Sequence, residues 1–218
     1  MNPVQAVLFD FGQVLSLPPD PAAWQQIRSI SGLSEAALER GYWEHRHDYD
    51  RGELSGATYW RRIAEDNQTE FTSQQIAALK AADVALWSRL NMPMVEWAQR
   101  LQQAGVRTGI LSNIGDAMTE GLTARFDWLA DFHHCTWSYA LKLAKPEAAI
   151  YRCAAESLAT PPESILFIDD KQENVAAATA AGMQAIQYLG HQQFEREMQQ
   201  RGLASLLNLS SGVITTRP

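Results

Sequence analysis

The residues of this sequence that could carry chemistry follow apolar runs that resemble short buried strands. Asp10 follows the apolar residues 6–9, and the pair Asp169–Asp170 follows the apolar residues 165–168. Carboxylates gathered at one place repel one another and need a cation, and their oxygens are ligands that suit Mg²⁺. The hydroxyl, amide and ammonium groups that bind a phosphoryl group occur in Ser112 and Asn113, at the end of another such run, and in Lys145, just before a predicted helix. Together these residue types indicate phosphoryl transfer, in which positioning and charge neutralisation dominate.

Strands and helices alternate in the part of the chain that carries these residues. The apolar patterns predict strands over residues 4–10, 106–111, 133–137, 164–168 and 183–188, and helices over residues 93–103, 116–125, 146–157 and 172–181. Such alternation is typical of an α/β fold with a Rossmann-like, doubly wound parallel sheet. In a parallel sheet the carboxyl ends of the strands share one edge, so distant residues can converge on one crevice.

A helical block interrupts this alternation. Residues 21–31, 34–49, 55–67 and 72–90 have apolar positions at helical spacing. We therefore expect two domains: an α/β core formed by residues 1–15 and 91–218, and an inserted helical cap formed by residues 16–90.

Composition limits the classes of partner. With 18 basic and 25 acidic residues, the 218-residue chain has a formal charge of −7, which argues against a nucleic-acid or anionic-membrane surface. Two cysteines do not make a disulfide framework, and the sequence lacks a signal-peptide pattern and a run of eighteen apolar residues. We expect a cytoplasmic protein that acts on a small molecule as a monomer or homodimer.

Four short motifs in a fixed order give the sequence a family resemblance. They are FDFGQVL, ILSN, the KP of LAKPEAAIY, and FIDD, and the segment DDKQENVAAATAAG extends the last of them. Because the motifs stand in this order, with a helical insertion between the first two, the chain resembles the haloacid dehalogenase-like superfamily of hydrolases. The likeness is to its phosphatase branch with a helical cap, and it runs from Val4 to about Tyr188.

The resemblance implies a role for each motif residue. Asp10 would be the nucleophile that takes the phosphoryl group as an aspartyl-phosphate. Ser112 and the amide of Asn113 would bind the phosphate oxygens. Lys145 would neutralise phosphate charge and hold the Asp10 carboxylate.

The resemblance also implies a magnesium site. The ligands would be the carboxylates of Asp10 and Asp170 and the backbone carbonyl of Gly12, with Asp169 close by or acting through water. Asn174 would stabilise the loop that carries the two aspartates.

The first motif departs from the usual pattern of the superfamily's phosphatases. Most of them carry a second Asp two positions after the nucleophile as general acid and base, whereas this chain has Gly12. Such help is typically worth about 10²–10⁴ in rate. Its loss predicts a preference for good leaving groups, such as sugar 1-phosphates, acyl phosphates or aryl phosphates. Alternatively the cap supplies a substitute acid, for which His45 and His47 are candidates.

The sequence leaves three functions open. The first is a Mg²⁺-dependent phosphatase of a small phosphorylated metabolite such as a sugar phosphate. The second is a 2-haloacid dehalogenase, which also uses a nucleophilic Asp but needs no metal; against it, Val14 stands where that motif usually has Thr. The third is a non-enzymatic member that binds a phosphorylated ligand or a protein, which the missing acid at Gly12 keeps open.

Overall fold

A five-stranded parallel sheet forms the centre of the molecule. The computed structural model describes residues 3–209, so residues 1, 2 and 210–218, which the prediction assigned to the core, lie outside it. The strands stand in the spatial order β3-β2-β1-β4-β5. Their bounds are β1 Ala6–Phe9, β2 Arg107–Ser112, β3 His134–Trp137, β4 Ile165–Asp169 and β5 Gln184–Gln187. The predicted α/β parallel sheet is confirmed.

Helices cover both faces of the sheet and form the insertion. Six lie between β1 and β2, and the first five of these fall within the predicted insertion: α1 Pro21–Ser31, α2 Glu35–Glu44, α3 Arg46–Asp50, α4 Gly56–Asp66 and α5 Ser73–Leu86. The others are α6 Met92–Gln103, α7 Asp116–Arg125, α8 Ser138–Leu141, α9 Ala148–Ser157, α10 Gln172–Ala180, α11 His191–Gln200 and α12 Ala204–Leu207. No helix within residues 3–209 is long and apolar enough to cross a membrane.

Strand register brings the polar ends of three strands to one edge. Phe9 at the end of β1 pairs with Ile110 of β2 and Ile168 of β4. The next residue along β1 is Asp10, and the ends of the other two strands are Ser112 and Asp169. Because both faces of β1 and β4 are covered, all their residues are buried, which explains their unbroken apolar runs. The fold therefore collects the predicted site residues at the carboxyl edge.

The chain enters and leaves the helical insertion side by side. Ser16 and Leu90 form an antiparallel bridge, and the Leu17 N–H donates to the Arg89 carbonyl at 2.7 Å. The Asn91 N–H donates to the Leu15 carbonyl at 2.9 Å. These bonds show that the segment entering the helices lies beside the segment leaving them. The division into a core and a cap at residues 16–90 stays a prediction.

Three helix bounds differ from the sequence prediction. The helix expected over residues 34–49 breaks at His45, which separates α2 from α3. The helix expected over residues 72–90 ends at Leu86, and the chain then turns back toward the sheet. The helix expected from residue 146 begins at Ala148, because Pro146 and Glu147 lie in a turn in which the Glu147 carboxylate accepts the Ala144 N–H at 2.9 Å.

Candidate active site

Lys145 joins two carboxylates at the carboxyl edge of the sheet. Its ammonium nitrogen lies 2.9 Å from Oδ1 of Asp10 and 2.6 Å from Oδ2 of Asp169. The side chain of Lys145 is 1% exposed, and that of Asp169 is fully buried. A charge buried this deeply is tolerated only when it is paired. The sequence prediction placed these three residues in one site, and the structure brings them into contact.

Asp169 uses its oxygens within the protein. Besides Lys145, it accepts hydrogen bonds from the Lys171 N–H at 2.8 Å and from the side-chain amide of Asn174 at 2.9 and 3.1 Å. Asn174 thereby holds the loop that the sequence predicts it to stabilise. Because these donors occupy both oxygens of Asp169, this carboxylate is less free to bind a cation than its neighbours.

A wide turn after β1 presents Asp10. The Asp10 N–H donates to the Ile168 carbonyl at 2.8 Å, and its Oδ1 accepts the Phe11 N–H at 2.7 Å. Gln13, two residues after Phe11, adopts a left-handed backbone with φ of 58°, which is unusual for a residue with a side chain. This places its side-chain amide 2.8 Å from Oδ2 of Asp170. The turn therefore links the first predicted motif to the last.

Ser112 and Asn113 follow β2 beside Lys145. Ser112 is buried and lines the same cavity as Asp10. The side chain of Asn113 accepts the Lys145 N–H at 2.8 Å and donates to the Lys145 carbonyl at 2.9 Å. The side-chain amide of Asn113 therefore fixes the backbone of Lys145, a positioning role that the sequence did not predict.

Burial and charge make the carboxylates hard to ionise together. The pKa of Asp10 is raised from 3.8 to about 7, mainly by burial and also by the neighbouring Asp169 and Asp170, although Lys145 opposes the rise. Burial and Asp169 also raise the pKa of Asp170. Burial alone would lower the pKa of Lys145. The two carboxylates beside it have the larger combined effect, so the pKa of Lys145 is raised. The site as a whole carries an excess of negative charge.

These three aspartates fit a divalent cation. Asp10, Asp169 and Asp170 each offer a carboxylate oxygen, and the three oxygens lie within 4.8 Å of one another. A hard cation with oxygen ligands would relieve the repulsion that raises their pKa values. The donor set therefore suits magnesium better than a soft metal.

A cavity of about 280 Å³ lies over the carboxylates. Its floor is formed by the carboxyl edge of the sheet, with Asp10, Gly12, Ser112, Lys145 and Asp170. The segment between β1 and α6 contributes five further lining residues, called the cap wall: Trp43, Arg46, His47, Asp50 and Trp87. Sequence reasoning proposed only His47 among these five, although the i, i+4 spacing of Arg46 and Asp50 signals an ion pair on α3.

The two predicted cap histidines differ in position. His45 pairs with Asp66, which does not line the cavity, whereas His47 is exposed and lines it. Two tryptophans of the insertion also differ in position, since Trp60 is buried and Trp87 lines the cavity.

A buried polar network fixes the cavity wall. Arg46 donates to Oδ1 of Asp50 at 2.9 Å and lies 3.5 Å from Asp83. The Tyr42 hydroxyl donates to Asp83 at 2.7 Å and accepts the indole N–H of Trp87 at 3.1 Å. One chain of contacts thus runs from Asp50 through the insertion to Trp87, which restricts both side chains to fixed positions.

Trp87 covers the position where the usual second acid would stand. A Cβ atom at Gly12 would lie 3.7 Å from Cζ3 and 3.9 Å from Cε3 of the Trp87 ring. These are ordinary contact distances, so the backbone tolerates a side chain there. A carboxyl group at this position would nevertheless project along an apolar ring face.

The fold and the sequence identify the family. The family model of the haloacid dehalogenase-like hydrolases matches residues 4–182. The chain therefore belongs to this family of hydrolases.

Named relatives within the family have different activities. The drimenol cyclase of Aspergillus calidoustus is 25% identical over 99% of this chain, which spans 42% of that protein's length. A phosphatase of Mycobacterium tuberculosis is 27% identical over 84% of this chain and 86% of its own. The (S)-2-haloacid dehalogenase 1 of a Pseudomonas species is 23% identical over 85% of both chains. Sequence similarity alone therefore leaves the reaction open.

Solved structures share the fold. A HAD family enzyme of Bacteroides thetaiotaomicron superposes with a TM-score of 0.75 at 19% identity, covering 90% of this chain and 99% of that one. The complex of that enzyme with magnesium and inorganic phosphate superposes with a TM-score of 0.69 at 21% identity, covering 84% and 93% of the two chains. At these identities the likeness establishes the fold.

Proposed function

We propose that this hydrolase is a magnesium-dependent phosphatase that cleaves a small phosphorylated metabolite through an aspartyl-phosphate on Asp10. The observation that carries the proposal is the buried triad in which Lys145 lies 2.9 Å from Asp10 and 2.6 Å from Asp169. This triad lies at one end of a cavity that also contains Ser112 and Asp170. A nucleophile, a cation site and phosphate donors therefore face one space.

The residues that would hold magnesium are Asp10 and Asp170, through their carboxylates, and Gly12, through its backbone carbonyl. Asp169, whose oxygens accept bonds from Lys145 and two other donors, acts nearby or through water. When bound, the ion neutralises charge on the phosphoryl oxygens and on the carboxylates.

The protein's own groups position the reaction. Lys145 keeps the Asp10 carboxylate in place and offers a positive charge to the phosphate. Ser112 and the amide of Asn113 bind phosphoryl oxygens, while the Asn113 side chain secures Lys145. Preorganised donors and charges of this kind stabilise the transition state at no reorganisation cost.

The cavity favours a compact substrate with both apolar and polar faces. Its volume of about 280 Å³ suits a small metabolite. Trp43 and Trp87 offer ring faces, and Arg46 and Asp50 offer hydrogen bonds. A sugar phosphate, such as a sugar 1-phosphate, has this combination. The proposed cap at residues 16–90 would close over the substrate and exclude water.

Phosphate release from a metabolite panel, measured with magnesium and after full chelation, tests this function. We expect release that depends on magnesium, because two carboxylates of the cavity need the cation. A 2-haloacid substrate is included because a dehalogenase is among the relatives. Dehalogenation that persists after chelation would contradict the proposal. Absence of all turnover with magnesium-dependent phosphate binding would identify a non-enzymatic member.

A further inference from the structure

The inserted helices contribute a further carboxyl group to the cavity that contains the proposed nucleophile. Asp10 lies on the floor of the cavity, and Asp50 lies on the wall contributed by the inserted helices. In phosphoryl transfer the attacking and leaving oxygens are roughly in line with phosphorus. A leaving group displaced by Asp10 therefore departs away from that carboxylate, and its oxygen needs a proton from another group of the cavity.

Resting on the proposed function, we propose that Asp50 is the general acid and base that replaces the carboxylate absent at Gly12. In the first step Asp10 attacks phosphorus, the bond to the leaving oxygen breaks, and that oxygen takes the proton of Asp50. In the second step water attacks the phosphorus of the aspartyl-phosphate and gives a proton to Asp50. The bond to Asp10 breaks, phosphate leaves, and both carboxyl groups return to their starting states.

Asp50 is tied directly to the phosphate-binding side of the core. Its backbone carbonyl accepts the Ser138 hydroxyl at 2.5 Å, and the same hydroxyl accepts the Ile114 N–H at 2.7 Å. Ile114 follows the Ser112–Asn113 pair along the chain. The Ser138 hydroxyl therefore connects the backbone of Asp50 with the segment that would hold phosphate.

The neighbours of Asp50 reinforce this docking. Arg51 forms an ion pair with Glu147, two residues after Lys145. The Tyr49 hydroxyl accepts the Met118 N–H at 3.2 Å. Three consecutive cap residues are thus bound to three different core segments, which gives Asp50 a defined place above the floor.

Asp50 is also the cap residue best suited to exchange a proton. Arg46 and the tryptophans of the wall do not release protons near neutral pH. His47 is exposed, whereas the side chain of Asp50 is 13% exposed and Arg46 orients it at 2.9 Å. The second oxygen of Asp50 then carries the transferable proton.

The surroundings of Asp50 bring its pKa closer to neutral pH. Its pKa is raised from 3.8 to about 6, mainly by burial and also by the negative charge of Asp83 on α5. Arg46 of α3 and Lys171, which precedes α10, lower it. A group that donates a proton in one step and accepts one in the next works best with a pKa near the operating pH.

Leaving-group dependence separates this role from a structural one. Asp50→Asn is compared with wild type and with Asp48→Asn, which changes an exposed aspartate of the same helix. We expect Asp50→Asn to lose about 10²–10⁴-fold on alkyl phosphates and less than about tenfold on p-nitrophenyl phosphate, which needs little protonation. Asp48→Asn should match wild type on both substrates. Equal losses by Asp50→Asn on alkyl and aryl substrates, or no loss, would overturn the proposal.

Folding and the proposed function are checked separately. In Asp50→Asn, Arg46 keeps Asp83 as a counter-ion at 3.5 Å, and retained aryl turnover proves that the site is folded. A second measurement needs no variant: wild-type rates across aryl and alkyl monoesters should depend weakly on leaving-group pKa, and a steep dependence would overturn the role of Asp50. If wild type releases no phosphate from any ester, the proposed function itself fails, and the inference fails with it.

Discussion

The ammonium nitrogen of Lys145 lies 2.9 Å from Oδ1 of Asp10 in a site from which most water is excluded. Even with this positive charge beside it, burial holds the pKa of Asp10 at about 7, so without the lysine the carboxylate would be protonated near neutral pH. An ionised carboxylate is the nucleophilic form. The contact therefore connects the stability of the site with its proposed chemistry.

Removing the Lys145 charge should destabilise the fold as well as the activity. Lys145→Met leaves the buried carboxylates of Asp10 and Asp169 without their cation, which typically costs about 3–5 kcal/mol. We expect the free energy of unfolding, measured with denaturant in the absence of magnesium, to fall by that amount. Phosphate release should be lost as well. Lys142→Met is the control, because Lys142 is exposed. Similar losses in both variants would contradict the assigned role of Lys145.

The support of Lys145 by Asn113 can be tested by truncation. Asn113→Ala removes a donor and an acceptor from the Lys145 backbone and should cost roughly 1–3 kcal/mol of stability. It should also lower phosphate release, because the ammonium group loses its fixed position. Asn67→Ala removes a comparable side-chain bond to the Ile63 carbonyl in the insertion. That control should lose stability but keep activity, and equal activity in the two variants would argue against positioning by Asn113.

Magnesium should stabilise the folded chain through Asp170. A cation that binds only the folded state adds about 2.7 kcal/mol at a hundredfold excess over its dissociation constant. Thermal unfolding with and without magnesium should therefore show an upward shift in wild type and a smaller one in Asp170→Asn. Asp131→Asn changes an exposed acid outside the cavity and should keep the full shift. An undiminished shift in Asp170→Asn would exclude this carboxylate as a ligand.

The buried Asp50 should make stability depend on pH. Its folded pKa of about 6 exceeds the ordinary value of 3.8, so folding takes up a proton between these values. Stability contributed by the protonated form is present below about pH 4 and is lost as pH rises through about 6. Relative to Asp50→Asn, wild type should lose up to about 3 kcal/mol over this interval. Denaturant unfolding at several pH values checks this, and parallel curves would contradict it.

The sequence predicts the parts of the site that end buried strands. Asp10 and Asp169 follow apolar runs, and parallel register alone brings them together. The family motifs add Lys145, whose loop position has no periodic signal. The same reasoning finds the strands more reliably than helix ends, since the break at His45 depends on cap packing.

The cap wall is less accessible to sequence reasoning. Trp87 follows α5 in a turn, and its place over Gly12 depends on a hydrogen bond to Tyr42, which lies on another helix. Asp50 looks like an ordinary helix acid until its burial and its docking to Ser138 are seen. Contacts between distant segments produce these features, and such contacts leave no local pattern. Helix α11, by contrast, was not predicted although its buried residues Phe194 and Met198 stand at helical spacing.

The central claim is that Asp10 is the nucleophile, and phosphate release by Asp10→Asn tests it most directly. The variant keeps the shape of the side chain but removes the charge that attacks phosphorus. Both proteins are assayed with magnesium on the substrate that wild type cleaves best, and mass spectrometry of the quenched reaction looks for a phosphorylated Asp10. We predict a phosphorylated Asp10 in wild type and loss of release in the variant. Release at the wild-type rate by Asp10→Asn would contradict the account.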